Sequence, residues 1–160
     1  MQEVHGDVLF EELTDEDTQK NKFLIFTLDS VDYGLDISYV VEIISIQKIA
    51  PIPLMPEYVK GVINLRGKII PIIDMRLKFG KCKKDYDDRT CIIVVDTEEI
   101  TIGFIVDKVA EVTDIIDDNI LPPPQIYEGF NHKFIKGIGK TDSGVKLLLD
   151  CVRLLEEEQM

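Results

Sequence analysis

The chain contains an internal repeat, and this repeat limits the possible folds more than any other feature of the sequence. Two blocks of the first half recur in the second half, the first at a constant offset of 69 residues and the second at an offset of 76. Seven additional residues between the blocks fit a longer loop around LPPPQIYEG (121–129). The aligned pairs are FLIF (23–26) with IIVV (92–95), YGLDISYVVEI (33–43) with IGFIVDKVAEV (102–112), VKGVI (59–63) with IKGIG (135–139), and IIPIID (69–74) with VKLLLD (145–150).

Each half is rich in Ile and Val and is divided by turn residues, which is typical of about five short strands. Short strands with tight turns favour small closed barrels, because closure removes exposed sheet edges. The sequence therefore predicts a mainly β fold of two small barrels, related by a pseudo-two-fold repeat and packed around a shared apolar seam. The positions matched in the first block are Gly34 with Gly103, Leu35 with Phe104, Ile37 with Val106, Val40 with Val109, and Glu42 with Glu111.

Local patterns add detail to this fold. The run IIPII (69–73) lacks polar alternation, so we expect it to be buried on both faces. Residues 100–112 read as one strand. Asp74 is a candidate N-cap of a short helical turn through Leu77, ended by Gly80, and Asp150 is a candidate N-cap of a C-terminal helix. Residues 1–21 read as a mobile acidic tail.

The segment GIGKT (137–141) resembles the end of a phosphate-binding loop. Such a loop needs a further glycine five residues before Gly139, followed at once by a helix. Phe134 stands in that place, and Asp142-Ser143-Gly144 is typical of a tight turn. The segment is therefore predicted to be a hairpin between two strands.

Composition excludes several classes of function. The net charge of −12 argues against broad electrostatic binding to nucleic acid or to an anionic membrane. Three cysteines without a C-x-x-C motif support neither a disulfide framework nor a zinc site. Reduced thiols in the cytoplasm are the simple interpretation of these cysteines. No signal peptide or membrane span is expected. A local excess of Lys and Arg in residues 60–89 is either a solvated loop or a docking patch.

No residues read as catalytic, cofactor-binding or metal-binding. His5 and His132 are the only histidines, and nothing places a nucleophile beside either of them. The acidic groups 85–88 and 117–118 lack the pattern of a calcium loop and are expected to be solvated turns. We therefore expect a protein that is not an enzyme.

Two features are not explained by core packing. In NLRGK (64–68), Arg66 lies in a turn between two apolar strands. Its guanidinium is either solvated or pins a loop or a partner through hydrogen bonds. Proline-rich loops occur at matching places, APIPLMP (50–56) and LPPP (121–124), and they either shape the fold or present apolar surface to a partner.

Taken together, these segments resemble the CheW family of bacterial chemotaxis coupling proteins. The resemblance covers about residues 22–155. It rests on Y-G-x-D-I-x-x-V-x-E-I in the first block and on G-V-x-N-L-R-G-x-I-x-P-I-x-D in the second. The second half matches through CIIVVD (91–96), IGFIVDKVAEV, the LPPP loop and FIKGIG (134–139).

The resemblance implies one CheW-like domain, 22–160, of two five-stranded Src-homology-like barrels, at about 22–84 and 85–160. An exchange of strands between the halves is left open. It also implies a non-enzymatic adaptor without cofactors, which couples methyl-accepting chemotaxis receptors, through their cytoplasmic tips, to the regulatory domain of the histidine kinase CheA. Such a protein would be cytoplasmic and recruited to receptor arrays at the inner face of the membrane, without inserting into it.

The resemblance also implies site residues. Those for receptor binding are Val40, Glu42, Gly103 and Val109; those for kinase binding are Ile49, Lys60 and Ile69; those important for coupling are Gly61 and Arg66; and those for a second barrel-end contact are Ile120, Leu121 and Ile126. At position 121 this chain has Leu where some relatives carry a basic residue.

A nucleic-acid-binding protein built on small barrels is the alternative from another class. The basic run Arg76 to Lys84 favours it. The acidic net charge and the scattered aromatic residues argue against it, because single-stranded nucleic acid needs stacking platforms beside positive charge.

Overall fold

The structure is a computed structural model that describes residues 20–123 and 132–156. These residues form eleven strands and two short α-helices, with three single turns of 3-10 helix at Ile37–Tyr39, Asp117–Asn119 and His132–Phe134. The strands are β1 (Lys22–Leu28), β2 (Val31–Asp36), β3 (Val40–Ser45), β4 (Val59–Leu65), β5 (Lys68–Asp74), β6 (Cys91–Asp96), β7 (Thr101–Val106), β8 (Lys108–Asp114), β9 (Ile120–Leu121), β10 (Ile135–Thr141) and β11 (Gly144–Leu149), and the helices are α1 (Met75–Lys78) and α2 (Cys151–Glu156).

The strands form two sheets, and the predicted mainly β fold with a two-fold repeat is confirmed. A six-stranded sheet has the order β8-β1-β2-β11-β10-β9, and a five-stranded sheet has the order β3-β6-β7-β5-β4. In each sheet the last strand of one repeat lies parallel to the second strand of the other, as β11 does to β2 and β5 to β7. The same arrangement therefore occurs twice, with the first two strands of each repeat placed in the other repeat's sheet.

Each sheet curls so that its two edges meet. In the five-stranded sheet the chain continues from edge strand β3 to Ala50, which exchanges two 2.9 Å backbone hydrogen bonds with Val62 of the opposite edge strand β4. In the six-stranded sheet the chain continues from edge strand β8 to β9, which pairs with β10. We call the two structures the five-stranded barrel and the six-stranded barrel.

The five-stranded barrel is built from one continuous stretch, residues 40–106, and the six-stranded barrel from the segments on either side of it. The chain crosses between the barrels twice, at residues 37–39 and at Asp107. The expected division near residue 84 separates the two sequence repeats, but it does not separate the two barrels. Strands β6 and β7 belong to the second repeat and complete the five-stranded barrel.

Three apolar clusters explain why so many strands lack polar alternation. In β1, for example, one face lines its own barrel through Phe23 and Ile25, while the other face, including Leu24 and Phe26, packs between the barrels. Burial of each such side chain stabilises the fold by about 1.5–3 kcal/mol. The cluster between the barrels, here called the seam, contains Leu24, Phe26, Leu28, Tyr33, Leu35, Ile73, Met75, Ile93, Val95, Ile102, Phe104, Val106, Phe134, Ile135, Leu149, Cys151, Leu154 and Leu155.

The repeat extends to two tightly packed glycines. A Cβ on Gly34 would lie 2.8 Å from Leu148, and a Cβ on Gly103 would lie 2.7 Å from Ile72. Gly34 and Gly103 are equivalent in the first block, and Leu148 and Ile72 are equivalent in the second. Both glycines thus allow the same close approach between the second strand of one repeat and the last strand of the other.

Two local predictions need correction, and the helix caps are confirmed. Ile69 is 59% exposed, so the run IIPII is not buried on both faces throughout, although Ile72 and Ile73 are buried. Residues 100–112 form two strands, because the chain leaves one barrel for the other at Asp107. The Asp74 carboxylate accepts hydrogen bonds from the first turn of α1, and the Asp150 carboxylate accepts one from Arg153 in α2.

The GIGKT segment lies in β10, and the predicted hairpin is confirmed. Strands β10 and β11 pair in antiparallel register around Asp142-Ser143, and Thr141 Oγ1 donates a 2.9 Å hydrogen bond to the Gly144 carbonyl. No helix N-terminus follows the segment, because β11 begins at Gly144.

We predict that the chain does not bind ATP or GTP through GIGKT, because the extended backbone of β10 cannot wrap its N–H groups around a phosphate. Titration calorimetry with each nucleotide and Mg²⁺ should show no saturable heat. Micromolar binding that is lost in Lys140→Ala, but kept in Lys136→Ala on the same strand, would contradict this prediction.

Candidate functional site

Val40 and Val109 occupy equivalent positions at the border of the seam. Val40 begins β3 opposite Val95, and Val109 lies in β8 opposite Phe26. Val95 and Phe26 are themselves equivalent in the repeat. Both candidate valines are half-buried and pack against the seam cluster, so each leaves part of an apolar surface open to solvent beside the junction of the barrels.

Glu42 and Arg66, which the sequence singled out separately, are bonded to each other. Arg66 Nη1 lies 2.8 Å and 3.0 Å from the two carboxylate oxygens of Glu42. Because β3 and β4 are the two edge strands of the five-stranded barrel, this ion pair links one edge to the hairpin that follows the other. Of the two readings left open for Arg66, the structure shows a guanidinium that pins a neighbouring strand.

The backbone at Arg66 helps to aim its side chain. Leu65 pairs with Lys68 around a two-residue turn in which Arg66 has φ 52° and Gly67 has φ 85°. A left-handed conformation is uncommon for a residue with a side chain, so an Arg at this turn position is unusual. Its hydrogen bond to Glu42, with the added Coulomb attraction, raises the pKa of Arg66. The Arg66 side chain is 74% exposed and that of Glu42 is 23% exposed, so the pair lies on the surface and remains accessible to a partner.

Gly103 is buried in β7 and does not reach the surface. Its Cα faces Ile72 and Ile92, and no Cβ fits there without displacing one of them. Gly103 thus allows close packing in the interior of the five-stranded barrel, where Ile72 and Ile92 lie.

The candidate kinase-binding residues lie in or next to the β4–β5 hairpin. Ile49 is half-buried against the interior of the five-stranded barrel, and Lys60 is half-buried next to Gly61. Ile69 is exposed on β5 across from Asn64. Ile69 lies three residues from Ile72, the partner of Gly61, so about 10 Å of strand separates it from the other two.

Gly61 lies where the five-stranded barrel closes. The register of β4 shifts between Val59 and Gly61, and Gly61 has φ 141°. A Cβ at this position would lie 2.0 Å from the Ala50 carbonyl oxygen. The equivalent Gly137 has the same role in the six-stranded barrel: it follows the corresponding register shift in β10, and a Cβ there would lie 2.9 Å from Ile120.

The candidate second barrel-end contact is only partly described. Ile120 is half-buried against the interior of the six-stranded barrel, and Leu121 is 44% exposed beside it on β9. Ile126 lies outside the described residues. The proline-rich loop of the other barrel exposes Ile52, Leu54 and Met55, and Leu54 has φ 64°.

Comparison with known proteins gives the family. The model of the CheW-like domain matches residues 22–159 of this chain. The chain belongs to the CheW family. The chemotaxis protein CheW of Klebsiella aerogenes is 36% identical over 144 residues, which cover 90% of this chain and 87% of the relative. The CheW of Thermotoga maritima is 34% identical over 134 residues, covering 84% of this chain and 87% of the relative.

A solved structure of the CheW family has the same fold. The crystal structure of the scaffolding protein TtCheW from Thermoanaerobacter tengcongensis matches with a TM-score of 0.76 and 39% sequence identity. The match covers 81% of this chain and 88% of that chain. These similarities do not favour the nucleic-acid-binding alternative.

In this member of the CheW family, a charged network that the sequence did not reveal lies where the barrels meet. Arg76 of α1 is buried, with Nη1 at 2.5 Å from the Asp107 carboxylate and Nη2 at 3.4 Å from the Asp29 carboxylate. These contacts span 31 and 47 residues, so the basic run alone could not indicate them. Arg76, Asp29 and Asp107 border a cleft of about 650 Å³.

A second buried cation lies at the end of the six-stranded barrel. Lys146 is 3% exposed and donates a 2.7 Å hydrogen bond to Asp32, which also accepts one from Thr27. Burial opposes ionisation of Asp32, but the hydrogen bonds from Lys146 and Thr27 outweigh it and lower the pKa of this carboxyl. Lys146 therefore has a structural partner and is not a free ligand-binding group.

Within the described ranges of this CheW-family chain, no three His, Cys, Asp or Glu side chains are grouped so as to hold a metal ion. None of the helices in those ranges has the length and hydrophobicity needed to cross a bilayer.

Proposed function

We propose that this chain is a non-enzymatic scaffold that couples methyl-accepting chemotaxis receptors to the histidine kinase CheA. The observation that carries the proposal is the similarity to CheW proteins over nearly the whole chain, which includes both barrels. Its place of action is the cytoplasm, at receptor arrays on the inner face of the membrane. No cofactor is needed for this function, because a scaffold works by holding two partners at once.

The receptor tip is assigned to the border of the seam. Val40 and Val109 offer equivalent, half-buried apolar side chains there, and Glu42 adds a polar anchor on the same strand as Val40. We propose that these side chains form an apolar groove, which would suit the face of a helix. Gly103 would contribute indirectly, by allowing Ile72 and Ile92 to pack closely inside the five-stranded barrel.

The kinase is assigned to the ends of the barrels. Ile69 is an exposed apolar residue on β5, and Ile49 and Lys60 flank the closure of the same barrel. Ile120, Leu121 and Ile126 are proposed for a second contact at the end of the other barrel. Gly61 and Arg66 support coupling by maintaining the shape of the five-stranded barrel. Gly61 does so where the barrel closes, and Arg66 does so through its bond to Glu42.

A three-component reconstitution tests the function. The chain, CheA and a receptor-tip fragment are combined at fixed concentrations, and CheA autophosphorylation is followed with labelled ATP. We expect stimulation only when all three are present, and a ternary complex in sedimentation. Binding to neither partner, or equal stimulation when the chain is omitted, would refute the proposal.

Removal of the Arg66 side chain should weaken coupling without unfolding the chain. In Arg66→Ala the turn still forms, since Gly67 N–H bonds to the Asn64 side chain and not to Arg66. An exposed ion pair adds little stability, so the circular dichroism spectrum and urea midpoint should stay close to those of the wild type. Kinase stimulation in the reconstitution should fall.

The pair itself is tested with Glu42→Ala and the double variant Arg66→Ala/Glu42→Ala. If the two side chains act as one unit, the double variant should be no worse than either single variant. Lys68→Ala, next to the same turn, is the control for a general loss of positive charge. Full stimulation by Arg66→Ala would show that its bond to Glu42 has no part in coupling.

A further inference from the structure

The two crossings between the barrels are held in different ways. At the first crossing, residues 37–39 form one turn of 3-10 helix, and the Asp36 carboxylate caps it by accepting hydrogen bonds from Ser38 N and Oγ at 3.0 Å and 2.8 Å. The second crossing is the single residue Asp107, between β7 and β8. Val40 begins β3 directly after the first crossing, and Val109 lies two residues after the second.

Distant parts of the chain fix the second crossing. The Asp107 carboxylate accepts a hydrogen bond from Arg76 Nη1 and a 2.9 Å bond from the backbone N–H of Asp29. Arg76 in turn donates from Nε to the Cys82 carbonyl at 2.9 Å. The position of Asp107 therefore depends on α1, on the segment after α1 and on the β1–β2 turn.

Burial makes this dependence strong. The side chains of Arg76 and Asp107 are only 10% and 13% exposed. Removal of one member of a buried ion pair leaves the other charge without compensation, which is strongly unfavourable. Without Arg76, the Asp107 carboxylate would gain solvation free energy by turning toward water. Because Asp107 is joined directly to β8, that movement displaces the start of the strand that carries Val109.

We infer that Arg76 is a positioning residue of the receptor-binding groove. It sets the start of β8, and hence Val109, without itself lying on the receptor surface. The first crossing, with its local Asp36 cap, leaves Val40 independent of Arg76. This inference rests on the proposed function, because it assumes that both valines contact the receptor tip.

The first test compares affinities for two partners. Arg76→Gln is expected to weaken binding of a receptor-tip fragment by about 2- to 30-fold, the range typical of residues that modulate a site without touching it. Binding of the CheA regulatory domain should be unchanged within about twofold, as is usual for distant sites. Arg153→Gln, which removes an arginine from α2, is the matched control and should change neither affinity.

The second test is a pair of double-mutant cycles on receptor binding. Arg76→Gln combined with Val109→Ala should be less than additive, because a displaced Val109 has already lost its contact. Arg76→Gln combined with Val40→Ala should be additive. The variant Arg76→Gln/Asp107→Asn should regain most of the affinity, since no uncompensated charge remains and the Asn oxygen still accepts from Asp29 N–H.

The outcomes separate the two proposals. Suppose that each valine variant weakens receptor binding. If Arg76→Gln then leaves receptor binding unchanged, or if its effect is additive with both valine variants, the role of Arg76 is overturned and the groove assignment stands. Equal losses for receptor and kinase, or no rescue by Asp107→Asn, also overturn it. If neither valine variant weakens receptor binding, the groove assignment fails and this inference fails with it. Should Arg76→Gln not fold, Arg76→Lys takes its place with the opposite expectation: a lysine that reaches Asp107 leaves no uncompensated charge, so receptor binding should stay within about twofold of the wild type, and a larger loss would overturn the role of the Asp107 pair.

Discussion

Val40→Glu is expected to abolish receptor binding while leaving kinase binding nearly intact. Val40 is half-buried at the border of the seam, and a helix seated there would desolvate a carboxylate in its place. An unpaired charge in such a contact costs several kcal/mol, so the affinity for a receptor-tip fragment should fall by at least about 100-fold. Isothermal titration of the folded variant with the tip fragment and with the CheA regulatory domain measures both affinities.

Val145 provides the control. It is 57% exposed on β11 and is not among the residues assigned to either partner. Val145→Glu should retain receptor binding, and both variants should give wild-type circular dichroism. If Val40→Glu binds the receptor normally, or loses both partners together, Val40 does not belong to a separate receptor surface.

Gly61→Ala is expected to destabilise the whole domain. The added Cβ would overlap the Ala50 carbonyl, 2.0 Å away, and the φ of 141° is one that residues with side chains rarely adopt. Ala50 would have to move, which breaks the backbone bonds to Val62 that close the barrel. We expect a loss of about 3–5 kcal/mol of unfolding free energy and a Tm lower by roughly 6–20 °C.

Gly67→Ala separates the two causes of this loss. Gly67 also has a positive φ, of 85°, but no atom lies within 4 Å of the position of its Cβ. Its substitution should therefore cost only the backbone strain, about 1–2 kcal/mol. Calorimetric scans of both variants decide the matter: equal Tm values would mean that the contact with Ala50 is unimportant.

The repeat was enough to predict the barrels, but not the way in which their strands combine. Apolar runs such as FLIF (23–26) and IIVV (92–95) indicated strands buried on both faces, which the seam explains. The pairing of Tyr33 with Leu147 joins residues from opposite ends of the chain, and no local pattern specifies it. The register shifts at Gly61 and Gly137 cannot be predicted from the sequence either, because a β-bulge depends on how a strand pairs with its neighbour.

The candidate site shows the same limit. Family resemblance supplied Glu42 and Arg66 separately, and only the fold shows that they are bonded. In the sequence, Arg76 is one member of a basic run, whereas its burial and its pairing with Asp107 arise from the packing of α1 against the second crossing. Charged residues are rarely buried without a partner, but the sequence does not say which of many carboxylates the partner is.

The segment that forms the five-stranded barrel lies between the two segments that form the six-stranded barrel. This arrangement sets an order for folding during synthesis. Residues 40–106 contain every strand of the five-stranded barrel, so it can close as soon as β7 has left the ribosome. Strands β1 and β2 emerge earlier but must wait for β11, which follows β2 by more than 100 residues, or roughly 6–20 s of translation. During that interval the apolar side chains of β1 and β2 have only the finished barrel to cover them, and the nascent chain is then most exposed to aggregation.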